Sequence, residues 1–199
     1  MMEISAILLA AGESRRMGEP KLALPWGNTT ILGQVVATYT AAGIGDILVI
    51  TGGARQKIDI LVTQLAQQFP VRTSHNPDYE RGEMLSSIQA GLAGVGPQSS
   101  AALIGLGDQP QVQEETVRRI CAAFTLTKSP LVAPSFQGHR GHPWLVARSL
   151  WPEILALPTT NTTARQFLNA HASQIEYVVA DENILKDLDT WEEYNRLRP

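Results

Sequence analysis

Three small residues, Ala10, Ala11 and Gly12, close a short apolar run, and Arg15, Arg16 and Lys21 follow within nine positions. Small side chains let a ligand approach the main chain. A glycine-bounded loop at a strand end turns several N–H groups toward an anion, and nearby guanidinium and ammonium groups add charge to such a cradle. A second apolar run, Leu103 to Leu106, ends in Gly107-Asp108-Gln109-Pro110. A carboxylate in that position suits a hard divalent cation, which binds through one or two carboxylates and phosphate oxygens. Near the C-terminus stands Asp187-Leu188-Asp189-Thr190, and between them Gly138-His139-Arg140-Gly141-His142-Pro143 offers a cation and an imidazole. Each has a plainer role open to it. The basic loop would also serve as a solvated turn, Asp108 as a turn cap before Pro110, and Asp189 as a helix N-cap.

The elements that must position these residues alternate. Apolar runs at Ile4–Ala10, Asp46–Thr51, Val71–Ser74, Ala101–Leu106 and Leu131–Pro134 read as strands. Helical spacing marks Ile31–Ala42, with Thr29 or Thr30 as cap and Gly43 as stop, then Ile58–Phe69, Leu85–Ala93 and Glu114–Phe124. Beyond Gly138 the pattern loosens into a strand at Pro143–Ala147, short helices at Ser149–Leu157 and Thr163–Ala170, a strand at Ile175–Ala180 and a helix at Thr190–Leu197. Alternation of this kind predicts a mostly parallel sheet covered on both faces, a single-domain Rossmann-like α/β three-layer sandwich. Ligands of such sheets bind at the carboxyl ends of the strands, here just after Ala10, Thr51, Ser74 and Leu106.

Composition narrows the chemistry. The chain has 199 residues, 16 basic against 19 acidic, and a net charge of -3, so no basic surplus exists to neutralise a nucleic-acid backbone. The single cysteine, Cys121, can form no internal disulfide, which fits a reducing cytosol, and we read it as a buried structural thiol. No run is long enough for a membrane span, and the N-terminal residues lack the pattern of a secretory leader. The expected location is cytoplasmic. His139 and His142, three apart and without cysteine partners, make a weak zinc site. The loop is neither standard phosphate motif. Five residues separate Gly12 from Gly18 where the P-loop has four between its glycines, and no G-x-G-x-x-G follows the strand.

The strings Leu9-Ala10-Ala11-Gly12, Ser14-Arg15-Arg16-Met17-Gly18 and Pro20-Lys21-Leu22 closely resemble the signature of the molybdenum-cofactor nucleotidyltransferase family, within the glycosyltransferase-A-like nucleotidyltransferases. The resemblance extends over nearly the whole chain and implies a fold of the nucleotide-diphospho-sugar transferase type. It implies a loop that holds NTP phosphates, with Leu9, Ala10, Ala11, Gly12 and Gly18 lining the nucleotide. Lys21 would stabilise charge at the α-phosphorus and Arg16 would lie nearer the pyrophosphate. Leu106-Gly107-Asp108-Gln109-Pro110 resembles the family's metal-binding strand end, and Asp187-Leu188-Asp189-Thr190 its second acidic motif. Asp108 and Asp189 would then hold magnesium, or manganese in its place, with Asp187 as neighbour or substitute. The family usually has proline after that threonine, where this chain has Trp191.

Asn76 to Ile88 resembles a further family segment. Ser86 and Ser87, at the start of a helix, would contact the nucleotide or cap the helix, and Thr51 would line the base site. Arg140-Gly141-His142-Pro143 resembles the acceptor-side motif, Arg140 clamping the acceptor phosphate and His142 positioning it. The expected reaction is transfer of a nucleoside monophosphate from an NTP to a phosphorylated acceptor such as molybdopterin. Ala11, where the guanine branch has the first glycine of Leu-Ala-Gly-Gly, favours CTP. A molybdoenzyme or its chaperone would be the downstream partner. Two other readings stay open: a sugar-phosphate nucleotidyltransferase on the same fold, and a chaperone that carries molybdopterin without chemistry.

Overall fold

The computed structural model describes residues 3–12 and 17–199. Its centre is an eight-stranded sheet in which β1 (Glu3–Ala10) lies between β4 (Ile47–Thr51) and β6 (Ser99–Leu106), parallel to both. Beyond β4 lies β5 (Val71–His75), also parallel. The other wing carries β9 (Trp144–Ala147), β7 (Leu131–Phe136) and β10 (Ile175–Val179), with the two-residue β8 (His139–Arg140) paired to β7. Only β9, antiparallel to β6 and β7, and the β7–β8 hairpin break the parallel run of this sheet among the described residues. A separate hairpin, β2 (Pro25–Trp26) with β3 (Thr29–Thr30), stands outside it.

Strand periodicity sorts the core onto two faces. Ala6, Leu8 and Ala10 of β1 join Ile47, Val49 and Leu103 on one side, under α1 (Ile31–Ala41), α2 (Arg55–Leu65) and α4 (Glu114–Thr127). Ile7, Leu48, Ile50 and Ile104 point to the other, under α3 (Glu83–Gly94), α5 (Trp151–Ala156) and α6 (Ala164–Ala170). The three layers are those expected from the alternation. The strand runs are near-continuously apolar because both faces are covered.

The element limits shift by a few residues. α2 starts at Arg55, three positions before its first buried residue, Ile58, because its exposed N-terminal turn carries no apolar periodicity. The stretch beginning at Ser149 is split into a 3₁₀ turn (Arg148–Leu150) and α5, whose N-terminus is set by Pro152. Thr30 caps α1, accepting from the Gly33 N–H. α7 (Trp191–Leu197) begins after Thr190, whose hydroxyl accepts from the Glu193 N–H while the Glu193 carboxylate accepts from the Thr190 N–H. Thr190 is therefore the cap, and Asp189 is not, so the Asp189 carboxylate stays available for other contacts. Cys121 is partly buried on α4, and burial pushes its thiol up to about 11, which leaves it inert. No helix among the described residues is long and apolar enough to cross a membrane.

Candidate active site

The register of the central strands builds the site. Ala10 pairs with Thr51 and Leu9 with Leu106, so the loops after β1, β4 and β6 leave the sheet side by side. Main-chain bonds fasten them: the Gly107 N–H donates to the Leu9 carbonyl (3.0 Å) and the Gly53 N–H to the Ala11 carbonyl (3.4 Å). At Gly52 the approach is closer still. A Cβ there would lie 2.4 Å from the Ala11 carbonyl oxygen and 2.8 Å from Tyr79, so only glycine lets this loop pass.

Lys21 follows the first loop on a 3₁₀ turn (Lys21–Ala23) fixed by burial of Leu22. Its Nζ lies 2.5 Å from Asp108 Oδ2 and 2.9 Å from Asp189 Oδ1. Two carboxylates from positions 81 residues apart in the chain thus converge on one ammonium. Desolvation alone would lower the Lys21 pKa, but the Asp108 charge and the hydrogen bonds to both aspartates outweigh it and hold the ammonium above its usual value. Asp187 approaches the same group from the side. Its edge is exposed, yet its carboxyl accepts from Gln109 Nε2 (2.8 Å) and is partly desolvated. That desolvation, followed by the Asp108 charge, raises its pKa above the usual aspartate value, against the pull of the Gln109 hydrogen bond.

Trp191, in place of the family's proline, ties this C-terminal segment to the first loop. Its indole Nε1–H donates to the Met17 carbonyl (3.2 Å) and its ring meets Tyr194 edge-on. The Asp189 N–H donates to Glu193, so the capping box of α7 also fixes the residue that reaches Lys21. Arg15 and Arg16 lie outside the described residues.

A cavity of about 260 Å³ opens beside the first loop, lined by Leu9, Ala11, Gly12, Tyr79, Met84 and Ser87. Ala10 points instead into the core, and Gly18 borders a separate cleft of about 630 Å³ toward the start of α2. Thr51 is fully buried and donates to the Ser74 carbonyl (3.4 Å), a bond within the sheet. Ser86 and Ser87 lie in the first turns of α3 but do not cap it: both hydroxyls accept from the Asn76 amide nitrogen (2.9 and 3.0 Å). Asn76 also accepts from the Asp78 N–H, and so organises the whole turn between β5 and α3. The sequence reading gave Asn76 no role of its own. Its signal was the Asn-Pro-Asp turn that opens the segment.

Arg140 and His142 lie on the far side of Met84, which also borders a second cavity of about 490 Å³. Arg140 Nη1 and His142 Nε2 are sealed from solvent and find no hydrogen-bond partner among the described residues. Burial pushes the His142 imidazole down to about 4, so it is neutral at physiological pH. The structure thus brings together Lys21, Asp108 and Asp189 in one cluster, Leu9, Ala11, Gly12 and Ser87 around one cavity, and Arg140 and His142 around the next.

Residues 6–175 match the MobA-like NTP transferase domain. The chain belongs to that family. The family's members are nucleotidyltransferases, which bind a nucleoside triphosphate and an acceptor. The chain is 27% identical to the molybdenum cofactor cytidylyltransferase of Escherichia coli K12, over 98% of its own length and 95% of the relative's. It is 25% identical to a probable molybdenum cofactor guanylyltransferase of Bacillus cytotoxicus, over 99% and 97%. Its fold superposes on Rv0371c of Mycobacterium tuberculosis H37Rv with a TM-score of 0.83 at 26% identity, covering 99% of this chain and 97% of that one. A second structure of Rv0371c, a complex with manganese, gives 0.79 at 25% identity, covering 99% and 98%. The sheet and its layers are those of the nucleotide-diphospho-sugar transferase fold.

The donor set around Lys21 suits a hard divalent cation. It is all oxygen, and Asp108 and Asp189 already share one cationic partner. Among the described residues no three His, Cys, Asp or Glu side chains group to hold a metal unaided. Two carboxylates completed by substrate phosphates is the pattern magnesium prefers.

Proposed function

We propose that the chain transfers CMP from CTP to the phosphate of molybdopterin or a closely related acceptor, releasing pyrophosphate. The observation that carries this is the convergence of Asp108 and Asp189 on Lys21 at the carboxyl ends of the central strands, where the glycine-lined first loop also leaves the sheet. Met84 borders both cavities, which supports a nucleotide on one side and an acceptor on the other.

In this reading an acceptor phosphate oxygen attacks the α-phosphorus in line. The new phosphorus–oxygen bond forms as the bond to the β-phosphate bridging oxygen breaks, and pyrophosphate leaves. No side chain acts as nucleophile, so catalysis is positioning and charge compensation. The main chain from Leu9 to Gly12 and the Ser87 hydroxyl hold the base and sugar, and Gly18 and Arg16 flank the phosphates. Lys21 moves from its aspartates to the α-phosphoryl oxygens, where charge accumulates. Asp108 and Asp189 would hold magnesium, or manganese, which neutralises phosphate charge when bound. Arg140 fixes the acceptor phosphate, and neutral His142 offers a hydrogen bond without repelling or attracting charge. The Ala11 methyl favours the smaller base, a preference worth about 1–3 kcal/mol. Similarity to relatives named for cytosine and for guanine transfer makes the base a question for assay.

The test is pyrophosphate release from each of the four NTPs with reduced molybdopterin and magnesium. CTP should give the highest rate, and Asp108→Ala should abolish it. Undiminished release in that variant removes the metal assignment, and release only with sugar 1-phosphates replaces the acceptor.

A further inference from the structure

Helix α6 has no part in the sequence reading of the site, yet two of its exposed side chains reach the second cavity's machinery. Asn169 Oδ1 accepts a hydrogen bond from Arg140 Nη2. That contact uses one arm of the guanidinium. The other arm, Nη1, is buried and unpartnered among the described residues, as is His142 Nε2. Buried donors and acceptors in folded proteins are nearly always satisfied, so two orphans on residues that line one cavity mark a place that a polar ligand group could complete once these side chains turn toward it. Arg165, one turn before Asn169 on the same helix, lines that cavity too. Arg140, Arg165 and His142 make its polar wall, and Trp144, Leu168 and Leu185 an apolar one.

We propose that α6 is part of the acceptor site: Arg165 supplies a second guanidinium for the acceptor's phosphate, and Asn169 is a positioning residue that presents Arg140. The ligand class that fits both walls is a phosphate monoester carried on a ring body with an apolar face. A dianion sits between two guanidinium groups, and the ring packs against Trp144 and Leu168. Fixing Arg140 in advance lowers the entropy cost of clamping the phosphate. The inference rests on the acceptor reading given for Arg140 and His142.

The probe is phenyl phosphate, titrated calorimetrically into the full chain, with inorganic phosphate and phenol as comparisons. Phenyl phosphate should bind more tightly than either. Arg165→Ala and Asn169→Ala should each weaken it roughly tenfold, the cost of a charge-assisted hydrogen bond. Because Asn169 acts through Arg140, the Asn169→Ala loss should vanish in an Arg140→Ala background, which a merely structural role would not produce. Both α6 side chains are exposed, so the variants should fold, and unchanged CTP binding checks that they do. In turnover, the acceptor KM should rise while kcat holds. No phenyl phosphate binding by the wild type, or an equal Asn169→Ala loss with and without Arg140, overturns the proposal. If no NTP releases pyrophosphate with any acceptor while the titrations behave as described, the transferase reading fails and the α6 site stands. If turnover proceeds with unaltered acceptor KM in both variants, the transferase reading stands and the α6 site falls.

Discussion

Lys21→Met removes the cation on which the two aspartates converge, and the structure sets the size of the effect. Taking away one partner of a buried ion pair costs about 3–5 kcal/mol, because the other charge is left without compensation. The Lys21 and Asp108 side chains are only 14% and 19% exposed, so most of that cost applies to their pair. Asp189 is 46% exposed, and water screens its share to at most about 1 kcal/mol. Asp187, beside Asp108, adds repulsion once the ammonium is gone. A net loss of about 2–4 kcal/mol follows for the metal-free protein, or on the order of 10 °C in Tm for a chain of this size. The same geometry predicts a metal response. In the wild type a divalent cation must displace Lys21 from its carboxylates, whereas in Lys21→Met it meets both without that ammonium between them. Manganese without nucleotide should therefore raise the Tm of the variant by more than that of the wild type, even though turnover falls roughly 100-fold or more with the loss of the α-phosphate contact. Differential scanning fluorimetry with and without manganese reads both effects. An unchanged Tm, or the same manganese shift in both proteins, would refute the argument that Lys21 holds the place a metal takes.

Three further predictions follow from single contacts. Folding keeps His142 neutral, with its pKa down at about 4 against 6.5 in the unfolded chain, so the unfolded state binds more protons between those values. Its contribution is complete above pH 6.5 and lost as pH falls toward 4, about 3 kcal/mol in all. Urea denaturation across that range should show the loss in wild type and a flatter profile in His142→Gln. Gly52→Ala would drive a methyl against the Ala11 carbonyl and Tyr79, so the first loop must shift; the KM for the nucleotide should rise with little change in acceptor KM, checked by steady-state kinetics. Thr190→Ala breaks the capping box of α7, costing about 1 kcal/mol by thermal unfolding. It also loosens the Glu193 grip on the Asp189 N–H, so manganese affinity measured by electron paramagnetic resonance should fall.

The strands and helices were legible wherever burial was complete. Ala6–Ala10 of β1, Ile47–Ile50 of β4 and Ala101–Ile104 of β6 are apolar because helices cover both their faces, and their short length and the glycines that follow mark them as strands rather than buried helices. The β2–β3 hairpin has no apolar run to announce it, and Gly27-Asn28 between Trp26 and Thr29 is its one turn signal, with Gly27 at a φ of +57°. Two-residue strands have no periodicity to betray them, and only the turn could have revealed this one. Asp189 shows a different limit. From sequence, capping α7 and meeting Lys21 were both open to it, because either requires only a carboxylate before a helix. Thr190 and Glu193 together satisfy the helix start, which leaves the Asp189 carboxylate for Lys21.

The acceptor side was least legible for a related reason. Arg140 and His142 were visible because they sit in one contiguous string. Asn169 and Arg165 meet them only after β7, β8 and β9 have folded back across the sheet and α6 has docked on Phe167 and Leu168. Helical spacing places Arg165 and Asn169 on one face, four apart, but an exposed Arg–Asn pair on a short helix looks like any solvated surface. What distinguishes it is the orphaned nitrogen on Arg140, a property of three-dimensional packing with no trace in composition or period. In the proposed reading, then, contiguous motifs mark the nucleotide side and tertiary contacts complete the acceptor side. Changes at α6 should accordingly alter which acceptor is bound, while the loop after β1 keeps hold of the nucleotide.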